Sequence, residues 1–147
     1  MNEFVSKLDS LLYSLLSWDQ LTTFWQRVDV HAGWYIYAVG QDVPTDIVSS
    51  QQVSDFITRI DALLHKEHEE SYCGIVYADD LQLPTFIVIY DPNQLGVSCG
   101  SSKDRVLPGW VMSQVAPTAL GSKLVPNNRK RWWDLFLRRQ VANPDIS

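Results

Sequence analysis

The sequence of 147 residues is poor in several features that mark large classes of protein. It contains only two cysteines, Cys73 and Cys99, which are too few for the disulfide framework of a small secreted domain. No apolar run approaches the roughly 18–20 residues that a helix needs to cross a bilayer. The first residues include Glu3 and Asp9 and space their apolar positions, unlike a secretory signal. We therefore expect a cytoplasmic protein with free thiols and no contact with membranes.

The motifs of the common enzyme classes are also missing. No glycine-rich phosphate loop follows a predicted strand, and no serine stands in a nucleophile elbow. The net charge of −5 argues against general affinity for nucleic acid. These absences favour a binding protein over an enzyme, and we expect no cofactor.

Hydrophobic residues make up 46% of the chain and charged residues 20%, which is typical of a globular protein and indicates a single domain over residues 1–147. The fold is expected to be organised around two apolar runs, residues 72–78 and 85–91, on either side of a short polar break. Because this break is too short for a crossover helix, the runs should pair as an antiparallel hairpin. Alternate residues of the second run are apolar on both faces, so this strand should be covered on both sides.

Two further strands and one long helix are predicted around this hairpin. Residues 34–39 form an apolar run between two glycines, and residues 50–68 show helical periodicity after a serine that can cap the helix. Together with strand 72–78 they predict a strand–helix–strand crossover with parallel strands. Residues 110–115 alternate weakly, which favours a fourth strand at an edge of the sheet.

The remaining helices are predicted at the two ends of the chain. Apolar residues at three- and four-residue steps predict an amphipathic helix over Asn2–Leu16, and Ser17 with Gln20 fits a capping box that starts a second helix. This helical hairpin should cover the sheet. Alternatively, its leucine stripe forms the interface of a dimer. Either a monomer or a homodimer is therefore expected. A last helix is expected from residue 127 or 128 to about 141. The predicted class is therefore α+β, with a small mixed sheet covered by helices.

Two aspartates lie in the break between the hairpin strands. Paired carboxylates such as Asp79 and Asp80 can perform acid–base work or bind a cation. In a turn, however, aspartate is favoured because its side chain accepts hydrogen bonds from the nearby backbone. Turn formation is the preferred interpretation.

The segment from Cys99 to Arg105 is one candidate chemical site. A cysteine followed six residues later by arginine has the spacing of the cysteine-dependent phosphatase loop, in which backbone N–H groups and the arginine cradle a phosphate and a thiolate attacks phosphorus. Residues 106–109, which include a proline and a glycine, follow in place of the expected helix. An anion-binding protein or a cysteine-dependent enzyme is therefore the alternative function, behind protein binding.

A second candidate site consists of His65, His68 and Cys73, which combine two ligand types that zinc prefers. Their spacing is looser than that of known zinc patterns. Histidines also suit a last helical turn, where they interact with free carbonyl groups and the helix dipole. The preferred interpretation is a solvated helix end followed by a core cysteine, with no metal.

The strongest functional signal is the basic and aromatic stretch over residues 129–139. It carries five cations and one anion, a charge of +4, which leaves −9 on the rest of the chain. Such asymmetry indicates that something contacts the basic part. Tryptophan and arginine dominate protein-interface hot spots, so the candidate binding residues are Trp132, Trp133, Arg131, Arg138 and Arg139. Alternatively, this stretch docks on its own domain and neutralises the acidic body.

The sequence thus predicts a small cytosolic α+β domain that binds a protein partner without catalysis, of the adaptor or of the inhibitor and immunity type. Neither nucleic acid nor a membrane is an expected partner.

Overall fold

The computed structural model describes residues 2–94 and 107–120 and confirms the predicted α+β class. The helices are α1 (Glu3–Leu8), α2 (Trp18–Arg27) and α3 (Ser50–Glu67), with a short 3₁₀ turn at Pro92–Gln94. The strands are β1 (Tyr13–Ser14), β2 (Tyr35–Ala38), β3 (Val76–Ala78), β4 (Phe86–Ile89) and β5 (Trp110–Ser113). The predicted C-terminal helix lies outside the described residues.

The strands form one sheet in the order β1-β3-β4-β5-β2, and every neighbouring pair is antiparallel. The predicted hairpin is confirmed, since β3 pairs with β4 in the register Tyr77 opposite Val88. Strand β4 lies at the centre of the sheet and all four of its residues are buried.

The two faces of β4 belong to two separate apolar clusters. Ile87 and Ile89 join a large cluster with residues of α2 and α3, whereas Phe86 and Val88 join a smaller one that contains Phe4 of α1. Side chains alternate across a strand, so a run that is apolar at every position requires cover on both faces. The expectation that this strand is covered on both sides is confirmed.

Helices α2 and α3 begin where the sequence predicts. The Ser17 side chain accepts a hydrogen bond from the N–H of Gln20, whose side chain accepts from the Ser17 backbone in return, and Ser49 and Gln52 form the same capping box on α3. Each box satisfies backbone N–H groups that a helix leaves unpaired in its first turn. Both helices bury one apolar stripe against the sheet.

The predicted strand–helix–strand crossover is wrong in its geometry. Strands β2 and β3 are separated by β4 and β5, and the antiparallel pairings make them run in opposite directions. The reason is that β5 inserts between β4 and β2, pairing with both along all four of its residues. For the same reason β5 is an interior strand and not the edge strand that its weak alternation suggests.

The predicted helix over Asn2–Leu16 is also wrong, because it ends at Leu8. Phe4 is buried in the smaller cluster on one face of the sheet, while Leu15 is buried in the larger cluster on the other. A single straight helix cannot place both side chains on opposite faces of a sheet. The chain instead leaves α1, passes the edge of the sheet as β1 and starts α2 on the far side.

Among the helices in the described part of the chain, none is long and apolar enough to cross a bilayer.

Candidate functional site

The edge strand β1 lies in an unusual stretch of sequence. Residues 10–17 read SLLYSLLS and contain no charge, no proline and no glycine. Tyr13 and Ser14 pair with Ala78 and Tyr77 of β3, and the N–H of Leu15 donates to the carbonyl oxygen of Val76 at 2.9 Å. Leu15 is buried, so it anchors the stretch to the core while its neighbours stay at the surface.

Exposed apolar side chains are concentrated along this strand. Leu11 is 74% exposed, Leu16 61% and Tyr13 47%. Tyr72, also exposed, precedes Cys73, whose N–H donates to the carbonyl oxygen of Leu16 at 2.7 Å. We call these four side chains the β1 edge: they are four of the seven large apolar side chains that are exposed in residues 2–94 and 107–120. Exposed apolar side chains grouped along one sheet edge favour an interaction site.

A groove of about 440 Å³ lies beside the β1 edge, between α2 and the turn that joins β3 to β4. Its lining includes Leu15 and, from α2, Asp19, Thr23 and Arg27. The three helix residues are spaced by four and so share one side of α2. Arg27 Nη1 donates to the carbonyl oxygen of Leu81 at 3.2 Å, which ties the helix to the turn. A segment bound at the β1 edge therefore has a depression into which side chains can extend.

The part of the chain that the structure describes is acidic. The described residues carry fourteen Asp and Glu against four Lys and Arg, a formal charge of −10. Of those four cations, Lys7 pairs with Asp79 at 3.1 Å and Arg27 bonds to the turn. The whole chain has a net charge of −5, which attracts basic partners over distances of about a Debye length, roughly 8 Å at physiological ionic strength.

The two turn aspartates perform the turn role that their position predicts. Asp80 Oδ1 accepts from the N–H groups of Gln82 and Leu83. Asp79 accepts from the N–H groups of Thr85 and Phe86, from the Thr85 hydroxyl and from Lys7. Burial opposes ionisation of Asp79, but these hydrogen bonds outweigh it and lower the pKa of the carboxyl.

This lowered pKa makes stability depend on pH in the acid range. A carboxyl whose pKa is lower in the folded state stabilises the fold above its ordinary pKa of about 3.9, and the contribution is lost as the pH falls further. We expect the difference in the free energy of unfolding between the wild type and Asp79→Asn to be constant near neutral pH and to shrink below about pH 4. Urea unfolding of both proteins at several pH values measures it; a difference that stays unchanged down to pH 3 contradicts the role assigned to Asp79.

The three predicted metal candidates lie close together but are engaged in other contacts. His68 is buried and its Nε2 donates to the carbonyl oxygen of Cys73 at 2.9 Å, while Nε2 of His65 lies 3.5 Å from Asp61 Oδ1. The ring of Trp18 packs on His65 with a centroid distance of 4.3 Å. Burial raises the pKa of the Cys73 thiol, as expected for a cysteine packed in the core. Within the described ranges, no three His, Cys, Asp or Glu side chains are arranged to hold a metal ion.

The other predicted site residues are not placed by the structure. Cys99 and Arg105 lie outside the described residues, and so do the predicted binding residues Trp132, Trp133, Arg131, Arg138 and Arg139. Their roles remain predictions from the sequence.

Sequence reasoning placed the leucines of the β1 edge on a helix, as cover for the sheet or as the interface of a dimer, because their spacing fits a helix. One signal was available: a helix on the surface needs a polar face, yet residues 10–17 offer only serine and tyrosine opposite the leucines. Serine and tyrosine are also poorer helix formers than the charged residues that usually fill such a face.

Known proteins add nothing to this geometry. Comparison of the chain with known protein families, curated proteins and solved structures finds no match. The function therefore has to be inferred from the contacts, exposure and charge of the chain itself.

Proposed function

We propose that this chain is a small protein-binding domain that acts by contact and not by catalysis, as an adaptor or an inhibitor of the immunity type, and that its partner is a basic protein. The observation that carries the proposal is the β1 edge, a group of exposed apolar side chains on an acidic chain with a net charge of −5. An apolar centre supplies affinity through burial, and the surrounding charge supplies steering and selectivity.

A location in the cytoplasm is part of the proposal. It is supported by the free thiol of Cys73, which is buried in the core. Free buried cysteines suit a reducing compartment, where disulfides are rare.

The test is capture of partners on the tagged full chain, identification of basic proteins among them, and reconstitution of a complex from the two purified proteins. We expect a stoichiometric complex whose affinity falls as the salt concentration rises. Leu11→Ser and Leu16→Ser should each weaken it by about tenfold, because each removes roughly 1–2 kcal/mol of apolar burial at the interface.

Ile47→Ser is the matched control for these variants. Ile47 is 55% exposed and neighbours Val48, which is bridged to Trp34 beside β2, at the opposite edge of the sheet. Its replacement should leave the complex unchanged. The absence of any stoichiometric complex with a purified basic protein contradicts the proposed function.

A second pair of variants separates the two surfaces that the chain offers. If Trp132→Ala with Arg139→Ala abolishes binding while the leucine variants bind normally, the function stands but the contact surface is the basic stretch predicted from the sequence. If the leucine variants bind weakly and the Trp132 and Arg139 pair binds normally, the contact surface is the β1 edge.

A further inference from the structure

We infer that the β1 edge binds by strand addition: an extended segment of a basic protein pairs with β1 as a sixth strand, with apolar side chains at its centre and Lys or Arg at its ends. This inference rests on the proposed protein-binding function and specifies the mode of binding and the chemistry of the bound segment. It is carried by the backbone geometry of β1, by the uncharged and proline-free sequence of residues 10–17 and by the acidic side chains at the two ends of the edge.

The backbone of Ser14 is directed away from the sheet. In an antiparallel pair, hydrogen-bonding groups alternate along the strand between the partner side and the opposite side. The Leu15 N–H donates to Val76 on β3, in the register that places Ser14 opposite Tyr77. The N–H and C=O of Ser14 therefore point outward, and no strand of the described chain lies on that side of β1.

Within residues 2–94 and 107–120, the β1 edge is limited by the short length of its strand, two residues, but it carries no charged side chain and no proline. Natural proteins guard exposed edges with very short strands, charged side chains, proline, bulges or a covering segment. At the opposite edge, Val48 bridges to Trp34, the residue before β2. Residues 10–17 have no charge and no proline. An edge left in this form is suited to pair with another chain.

Acidic side chains lie near both ends of this edge, and the cation at the first end, Lys7, is paired with Asp79. Asp9 and Asp80 are exposed near the end where β1 begins, and Asp19, Glu69 and Glu70 are exposed near the end where α2 begins. The second group is placed there by the Trp18 indole, which donates to the carbonyl oxygen of Glu70 at 3.1 Å. Basic residues at the two ends of an added strand would meet opposite charge at both ends.

The same charges disfavour a second copy of this chain as the occupant. In an antiparallel pairing of two β1 strands about a two-fold axis, the acidic beginning of one strand lies against the acidic end of the other. Like charges placed opposite each other are destabilising. A basic, extended segment can pair with the outward backbone groups of Ser14, cover the exposed apolar side chains and place its cations beside the acidic residues.

The test uses a fluorescein-labelled synthetic peptide with two lysines at each end and alternating valine and threonine between them. Its binding to the full chain is measured by fluorescence anisotropy. Ser14→Pro removes the outward N–H without taking a hydrogen bond from the β1–β3 pair, and Ser14→Thr is the matched control that keeps it. We expect binding to Ser14→Pro to be weaker by about tenfold and binding to Ser14→Thr to match the wild type.

Two further measurements keep the test decisive if Ser14→Pro unfolds. A peptide methylated on alternate backbone nitrogens should lose binding, because it cannot form the ladder, and a peptide with glutamate in place of lysine should also lose it. Exchange of the Ser14 amide hydrogen, followed by NMR, should slow when the lysine peptide binds.

Equal binding of the methylated and unmethylated peptides overturns strand addition, and equal binding of the glutamate and lysine peptides overturns the basic chemistry of the segment. A concentration-dependent dimer of the free chain that Ser14→Pro abolishes shows that a second copy is the occupant, and this also overturns the inference. Failure of the lysine peptide to bind, while a purified basic partner still forms its complex, overturns the inference but leaves the proposed function intact. If neither binds, both fail.

Discussion

Phe4→Ala is expected to lower the free energy of unfolding by about 3–5 kcal/mol. The Phe4 ring is fully buried and packs against Phe86 at a centroid distance of 5.5 Å and Tyr37 at 6.2 Å. Among residues 2–94 and 107–120, the cluster on this face contains six buried residues, and Phe4 is the one that α1 supplies, so its truncation leaves a cavity that few described neighbours can fill. Urea unfolding followed by circular dichroism measures the change.

The same substitution should also detach α1. A helix of six residues is far too short to be stable by itself, because nucleation is costly and propagation adds little over so few residues. Val5→Ala is the matched control, since Val5 lies on the same helix with 37% exposure and should cost less than about 1 kcal/mol. If Phe4→Ala and Val5→Ala lower the free energy of unfolding equally, the contact of Phe4 with Phe86 and Tyr37 is not what holds α1 on the sheet.

Asp79→Ala is expected to cost about 2–4 kcal/mol, the second-largest effect. The carboxylate is the acceptor for two backbone N–H groups at the start of β4 and for the Thr85 hydroxyl, at distances of 2.5–3.0 Å. Its removal leaves these partly buried donors without an acceptor, and unsatisfied donors cost more than the net gain of forming their bonds. The ion pair with Lys7 contributes less, because the Lys7 side chain is 34% exposed.

Asp80→Ala is the control for this prediction. Asp80 is the next residue, and it too accepts two backbone hydrogen bonds, but it is exposed and water can replace its carboxylate. We expect a loss of about 1 kcal/mol or less. Thermal and urea unfolding measure the loss of stability in both variants. An equal loss for Asp80→Ala and Asp79→Ala would contradict the role assigned to the burial of Asp79.

Features of the fold that depend on neighbouring residues were predictable from the sequence. The hairpin follows from two apolar runs and a short polar break, and the capping boxes follow from Ser17 with Gln20 and Ser49 with Gln52. Each depends on residues within one turn or one loop. The double cover of β4 was also predictable, because alternation along a single strand reports both of its faces.

Features that depend on distant pairing were not predictable. Nothing in residues 34–39 shows that their neighbour is β5, more than seventy positions later, and the order of strands therefore came out wrong. The prediction of a helix over the N-terminal leucines was wrong for a related reason. Their spacing fits a helix, and residues 13–14 form a strand because they pair with β3. The β1 edge was missed for the same reason, because an edge can be recognised only when the order of the strands is known.

The position of β5 has a consequence for synthesis on the ribosome. Residues 110–113 fill the gap between β4 and β2, so a nascent chain that has not yet exposed them holds two strands with no shared neighbour. Pairing between segments so far apart in sequence is slow to form. The unfinished chain thus displays apolar strand surface for the time needed to add some twenty residues, a period in which chaperones would be its natural protection.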